Sequence, residues 1–479
     1  MGLSFVFDNT YCRSLEGFYA PWQAATVPAP KLMQLNRALA AELGLDADAL
    51  ASDAGAAIFA GNVVPPGAEP LAQAYAGHQF GGFVPQLGDG RALLLGEVID
   101  RDGRRRDIQL KGSGRTPFSR GGDGKATLGP VLREYLLGEA MHALGIPTTR
   151  ALAAVTTGEP VYRDQILPGA VLTRVASSHI RVGTFQFFAA RGETAKVRRL
   201  ADYTIARHHP DIATAANPYL AFLDAVVDAQ ASLIARWMLV GFIHGVMNTD
   251  NMAVSGETID YGPCAFMDRY YPLTVFSSID RLGRYAYGNQ PNIARWNLAR
   301  LAETLLPLID SDEQAAIAAA ASAVNAFTDR YDAYWLDGMR AKLGLLISAE
   351  PEDLALANDF LAAMEAAKID YTLGFRLLST GGLGDEAWAQ RWHRRLAGAE
   401  SAVSASARAE AMNRVNPLYI ARNHQVEAAL SAAVERQNLL PFETLLEVLA
   451  HPFTERRGFE SYTQPAPAGG EDYRTFCGT

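Results

Sequence analysis

The sequence predicts an α+β protein of two lobes, a β-rich lobe with one helix and a larger helical lobe, with extensions at both ends. Three observations carry this. Between residues 80 and 176, apolar or alternating runs broken by glycine-containing turns surround a single helical stretch. From about 177 the apolar spacing becomes helical. The longest of those helical runs then leads into a polar loop rich in chemistry, His244 to Asp260.

Residues 1–79 read as an extension packed on the core, with Pro65-Pro66-Gly67 as its chain-breaking punctuation. Gly81-Gly82-Phe83 and Gly88-Asp89-Gly90 flank a turn. Ala92 to Val98 reads as a buried strand, and Asp107 to Lys111 alternates as a half-buried strand does. Asp102-Gly103 between them predicts a hairpin. Helical spacing takes over at 131–144, where Leu132, Leu136, Ala140 and Leu144 share a face. Pro130 suits its first turn, and Gly145 with Pro147 ends it. Strands at 150–156 and 170–176 complete the 80–176 lobe. A long helix opens at Asn217-Pro218 and runs through Val240, inside a lobe core assigned to 177–340. The remainder, 341–479, reads as a helical extension with a cysteine-containing tail. Alanine-rich segments at 313–326 and 402–411 are helix-forming rather than disordered.

Composition narrows the function. The 479 residues are 49% hydrophobic and 20% charged, as in ordinary globular proteins. A formal net charge of −9 argues against a nucleic-acid partner. Arg104-Arg105-Arg106 and Arg198-Arg199 read as solvated positions. Three cysteines, Cys12, Cys264 and Cys477, make neither a disulfide framework nor a metal cluster. The N-terminus lacks a signal-peptide pattern, and Val6 spoils a myristoylation signal. No uninterrupted apolar run approaches a membrane span. A cytoplasmic monomer is expected.

The chemistry concentrates in His244-Gly245-Val246-Met247-Asn248-Thr249-Asp250-Asn251, followed after a short β segment by Asp260-Tyr261-Gly262. A carboxylate beside an amide, with a second carboxylate beyond, can hold Mg²⁺, which takes one or two carboxylates plus substrate phosphates. Protein kinases arrange H-R-D-x-x-x-x-N and D-F-G in that order around ATP. Counted from His244, the kinase base position holds Val246, while the amide falls on Asn251. Upstream, Lys111 ends a strand and Glu134 follows 23 residues later on the helix, the order of a phosphate-binding lysine and its partner. The plan is therefore protein-kinase-like, without the ordinary kinase base. Val246 speaks against a kinase or other phosphotransferase, and a scaffold without catalysis has no need of a complete metal site. Both nevertheless stay open on the residues alone.

Gly88-Asp89-Gly90-Arg91 stands where a Gly-rich phosphate loop would, although it reads equally as a hairpin turn. The glycine-rich stretch from Gly112 to Lys125 is a loop or a flap over a nucleotide. Arg174 and Arg181 bracket the expected lobe junction, where phosphates would explain them. His244 reads as a brace for the loop rather than a base. His208-His209 has no ligand spacing to another His or Cys.

Ile108-Gln109-Leu110-Lys111-Gly112-Ser113-Gly114-Arg115 and its continuation to Asp123-Gly124 closely resemble the signature of the selenoprotein O family. So do Leu132-Arg133-Glu134-Tyr135-Leu136, the His244–Met252 loop and Asp260 through Asp268. The resemblance extends over nearly the whole chain. It implies a pseudokinase fold acting as a protein adenylyltransferase, which moves AMP from ATP to hydroxyl groups of Ser, Thr or Tyr in other proteins, and UMP from UTP in bacterial members. It further implies that ATP binds inverted relative to kinases. Asp250 would then be the proton acceptor, acting late because a carboxylate of pKa about 4 is a weak base. Asn251 and Asp260 would hold Mg²⁺ or Mn²⁺. Lys111, positioned by Glu134, would contact phosphate, with Gly88, Gly90, Arg91, Asp123, Gly124, Arg174, Arg181 and Asp260 around the nucleotide. Cys477 stands where many eukaryotic members carry selenocysteine, and a reversible Cys264–Cys477 disulfide is one expectation. Two unpaired thiols in a reducing compartment are the other.

Overall fold

The computed structural model describes residues 5–381, 386–398, 400–467 and 473–475. Strands β1 (Tyr19–Pro21), β2 (Lys31–Leu35), β3 (Leu71–Gln73), β6 (Ala92–Ile99), β7 (Arg105–Lys111), β9 (Arg150–Tyr162) and β10 (Ile166–Ala176) form one sheet in the order β1-β3-β6-β7-β10-β9-β2. The short β8 (Ala126–Thr127) adds to β10. Every pairing in this sheet is antiparallel, so the protein is α+β. Two further pairs lie apart from it: the hairpin β4 (Gly77–Gln79) and β5 (Gly82–Val84), and β11 (Phe242–Ile243) with β12 (Ala265–Phe266).

Strand alternation divides the sheet's two faces. Ile108, Leu110, Val171 and Val175 pack with Leu39, Leu50, Ile58 and Phe59 from the short helices Arg37–Glu42, Ala47–Leu50 and Asp53–Phe59. Leu172, Ala154 and Ala170 turn the other way, onto Leu132, Leu136 and Ala140 of the Leu128–Ala143 helix. Residues 1–79 thus supply three sheet strands and the cover of one face, and the 79/80 boundary lies within the β4–β5 hairpin. The expected 340/341 boundary falls in the last turn of the Glu313–Lys342 helix.

The hairpin expected at Asp102-Gly103 joins β6 to β7, and the 150–156 and 170–176 strands extend to 13 and 11 residues. The long helix runs Pro218–Leu239, capped by the Asn217 side chain, which accepts from Leu220 N at 3.1 Å. Its length and hydropathy would suit a membrane. Here Phe222, Leu223, Val226, Val227 and Ile234 are buried in the protein core, against the Gln290–Ile309 and Glu313–Lys342 helices. From its end the chain enters β11 and the polar loop, which places that loop against the sheet.

Candidate functional site

Alternation along β7 sends Ile108 and Leu110 into the core and leaves Gln109 and Lys111 on the opposite face. Lys111 Nζ donates to Glu134 Oε2 at 2.6 Å and to Asp260 Oδ1 at 2.9 Å. Arg174 faces Gln109 in the β7–β10 register. Its Nη1 donates to Gln109 Oε1 at 3.2 Å, its Nε to Glu134 Oε1 at 2.6 Å, and its Nη2 to Asp260 Oδ1. Arg181 Nη1 donates to Asp260 Oδ2 and to the Asp250 carbonyl, both at 2.7 Å, while its guanidinium lies 4.6 Å from the Tyr75 ring centre.

Asp260 is therefore bound by three cations. Burial opposes its charge, but Arg174, Lys111 and Arg181 outweigh that and hold its carboxyl well below the usual range. Glu134 is buried too and is likewise held down by Arg174 and Lys111. Asp260 has φ +64°, a left-handed conformation uncommon outside glycine. His244 braces this turn, as expected: its Nε2 donates to the Ile259 carbonyl at 2.8 Å and its Nδ1 accepts from Val246 N at 3.4 Å. The ring is fully buried, and desolvation pushes its pKa down, so the neutral form serves.

Asp250 sits in the short turn Thr249–Asn251 and is 7% exposed. Its Oδ2 accepts from Gln79 Nε2 at 3.3 Å, while its Oδ1 is buried with no hydrogen-bond partner. Burial pushes its pKa up to about 6, against the pull of Arg181. It is thus a stronger base than the ordinary carboxylate that its residue type implies. Gly77 roofs it so closely that a Cβ there would stand 2.2 Å from Asp250 Oδ1. Asn251 Nδ2 donates to the Val246 carbonyl at 3.0 Å, which leaves its amide oxygen as the atom available to a cation.

These residues surround a cavity of about 440 Å³. Lys111, Arg174, Arg181, Asp250, Asn251 and Asp260 line one side. Gly88, Gly90, Arg91, Asp123 and Gly124 line another. Glu134 stands behind Lys111 rather than in the wall. The 112–125 stretch is folded onto the Gly88–Gly90 turn: Thr116 Oγ1 donates to the Asp89 carbonyl at 2.7 Å. A Cβ on Gly88 would meet the Phe118 ring at 2.4 Å. Asp123 accepts from both Arg163 Nη1 (2.7 Å) and Nη2 (3.0 Å), and that pairing holds its carboxyl below its ordinary range. Its charge is thus already matched within the protein.

Sequence reasoning missed Tyr75, Gln79, Phe80 and Arg163, which share the cavity wall; Arg120, Lys125 and Asn248, also in the wall, lie in the stretches it singled out but were given no individual role. The signal was present in Gly77-His78-Gln79-Phe80-Gly81-Gly82, a glycine-bounded run of turn length. Among the described residues, no group of three or more His, Cys, Asp or Glu could hold a metal alone. The chemistry of the donor set still fits a hard cation brought with phosphates: an ionised Asp260, an unused Asn251 oxygen and the unpartnered Asp250 Oδ1. Cys264 is buried, and desolvation pushes its thiol up to about 12. Cys477 lies outside the described residues.

A family model described as protein adenylyltransferase SelO matches residues 3–382. Proteins named protein nucleotidyltransferase YdiU are similar along their whole length. That of Cereibacter sphaeroides is 66% identical, with 100% of both chains covered. That of Methylorubrum extorquens is 59% identical, with 99% of both covered. That of Rhizobium leguminosarum bv. trifolii is 59% identical, over 100% of this chain and 98% of the relative. The family match spans every residue that lines the cavity, from Tyr75 to Ile279, and this chain belongs to the SelO family of protein adenylyltransferases.

Proposed function

We propose that the chain transfers AMP from ATP to a Ser, Thr or Tyr hydroxyl of a protein, with release of pyrophosphate, on a protein-kinase-like two-lobed frame. The observation that carries this is Asp250: a buried carboxylate with an unpartnered oxygen, in the wall of a cavity that also holds Arg91, Lys111, Arg174 and Arg181. In this reading the triphosphate lies along the cations with its α-phosphate toward Asp250. Asp250 accepts the proton of the attacking hydroxyl, a task suited to a carboxylate raised to about 6. Lys111, fixed by Glu134, and the two arginines draw negative charge from the phosphate oxygens as the bond to the leaving pyrophosphate breaks.

Asn251 and Asp260 would hold Mg²⁺ or Mn²⁺, which when bound neutralises phosphate charge. UMP transfer from UTP belongs to the same reading, because the cations named here meet phosphates rather than the base. The protein would act as a cytoplasmic monomer on other proteins. Val246, in the cavity wall at the position of the kinase base, disfavours phosphoryl transfer.

Intact-mass spectrometry after incubation with ATP and Mg²⁺ or Mn²⁺ tests this, beside Asp250→Asn as control. A gain of one adenylyl mass, lost in the variant, is expected. A gain of one phosphoryl mass would replace the reading with a kinase, and ATP binding without any gain, with candidate protein acceptors present, would replace it with a scaffold.

The Cys264–Cys477 disulfide belongs to this proposal as a redox control. What supports it is the docking of the described tail. Thr475 Oγ1 donates to the Pro263 carbonyl at 2.6 Å, and Thr475 N to the Phe276 carbonyl at 2.8 Å. Peptide maps made with and without reductant should differ by a linked Cys264–Cys477 pair. Identical maps would end the idea.

A further inference from the structure

The β4–β5 hairpin holds an aromatic residue where its backbone disfavours one. The two turn residues, Phe80 and Gly81, have φ of +51° and +88°. Such turns normally take Asn-Gly or Asp-Gly, since a bulky side chain is strained in the left-handed region. Strain of this kind persists only where the surroundings impose it, and it concentrates at functional positions. The surroundings here are explicit. Phe80 N donates to Asn248 Oδ1 at 3.0 Å, and the Phe80 ring packs edge-on to Tyr285, 5.1 Å between centroids. Asn248 also accepts from Tyr285 OH at 2.6 Å. The ring nevertheless remains 37% exposed and lines the cavity that contains Asp250.

Ile279 lines the same cavity and is 55% exposed; Leu282, three residues on, is 96% exposed. Their loop is fixed by Asp280, which accepts from Arg284 N at 2.9 Å and from Tyr285 N at 2.8 Å. Tyr285 therefore ties the hairpin tip and this loop together. Large apolar groups kept exposed on a pinned framework mark an interaction surface. This one is continuous with the catalytic carboxylate, because the residue preceding Phe80, Gln79, hydrogen-bonds Asp250.

We propose that Phe80, Ile279 and Leu282 form the docking rim for the acceptor segment of the protein substrate. The segment binds in extended form, with a large apolar side chain within two residues of the acceptor hydroxyl. This rests on the transfer reading above. Asp250 shares its cavity with Phe80 of the hairpin and Ile279 of the loop, so in this proposal the hydroxyl-bearing side chain enters between the two. In an extended segment the second neighbour lies about 7 Å along the chain, on the same face as the acceptor. That neighbour meets the exposed rim.

The test uses the full chain, ATP, Mg²⁺ and synthetic peptides with one Ser, Thr or Tyr, flanked by Leu or Phe in one set and by Ala in the other. The wild type is expected to adenylylate the apolar set with kcat/KM about tenfold higher. Phe80→Asn supplies the residue that this turn favours, so the hairpin is retained while the ring is lost. It and Ile279→Ser should bring the two sets to near-equal kcat/KM; because both sets are read with the same variant and the same ATP, the ratio reports the rim whatever the variant does to nucleotide binding. Equal rates with the wild type, or a preference that survives in both variants, would overturn the rim. So would self-modification by the wild type with no transfer to any peptide, which leaves the transfer reading standing. Absence of adenylyl transfer to peptides and to the protein itself would overturn both.

Discussion

Lys111 Nζ lies 2.9 Å from Asp260 Oδ1, so the last residue of β7 and the carboxylate beyond the polar loop form one direct ion pair. Arg174 and Arg181, both almost fully buried, meet the same carboxylate. A single anion thus neutralises cations from a strand end, a neighbouring strand and the segment after it. It does structural work in addition to the metal-holding role proposed for it above.

Removing that anion should cost stability as well as activity. Among the described residues, Asp260→Ala leaves Arg174 with Glu134 as its one ion-pair partner and Arg181 with none, and stranded buried charges of this kind cost about 3–5 kcal/mol. Asp260→Asn, which keeps the volume and some hydrogen bonds, should lose less. Urea unfolding of the three proteins measures this. An Asp260→Ala protein as stable as the wild type would show that the arginines find other partners.

Asp250 should set the acid limb of the pH profile. Its carboxyl is raised to about 6 by burial, so kcat should climb as pH rises through about 6 and level off above it. Stability should move the opposite way. A carboxyl whose pKa is higher folded than unfolded favours the fold below its unfolded value of 3.8, and that contribution is lost as pH rises through about 6. At pH 8 Asp250→Asn should therefore stabilise the nucleotide-free protein by on the order of 1–3 kcal/mol while abolishing transfer. Thermal melts at pH 5 and pH 8 check both signs, and the gain should shrink at the lower pH.

His244 should behave as a positioning residue. His244→Ala removes a buried hydrogen bond to the Ile259 carbonyl and a ring stacked 5.4 Å from Trp237, which together should cost about 2–4 kcal/mol. Because the neutral ring only fixes the turn before Asp260, the activity that remains should keep the wild-type pH profile. A lost acid or basic limb in the variant would instead make His244 a proton carrier.

Two glycines should resist even alanine. Gly124 has φ +69°, and a Cβ there would stand 2.1 Å from the Gly114 carbonyl oxygen; Gly88, at φ +75°, would strike Phe118. Gly124→Ala and Gly88→Ala should each push the 112–125 stretch off the Gly88–Gly90 turn and weaken ATP binding about tenfold or more, measured by calorimetric titration. Gly121, at φ +86° but with nothing within 4 Å of its Cβ, is the control: alanine there meets the backbone strain without the clash and should weaken ATP binding less.

Much of this is legible in the sequence. The β6–β7 hairpin, the helix bearing Glu134 and the long Pro218–Leu239 helix follow from period-2 and helical spacing, which local backbone geometry imposes. The Lys111–Glu134 pair and the Asp250, Asn251, Asp260 loop follow from motif order. Residues 1–79 were harder. Their strands β1 and β3 are three residues each, too short for alternation to register, and each gains its meaning by pairing with another strand of the sheet.

The order of chemistry along the chain, and with it the family, was written in the residues, because motif spacing is a property of neighbours in sequence. The environment of each group was not. Arg174 reaches Asp260 across 86 residues and Gln79 reaches Asp250 across 171. Burial that raises Asp250, cations that hold Asp260 ionised, and a hairpin that brings Phe80 to the cavity mouth all arise from such long-range packing. Charge state and access depend on what folds around a side chain, and no local pattern carries that information.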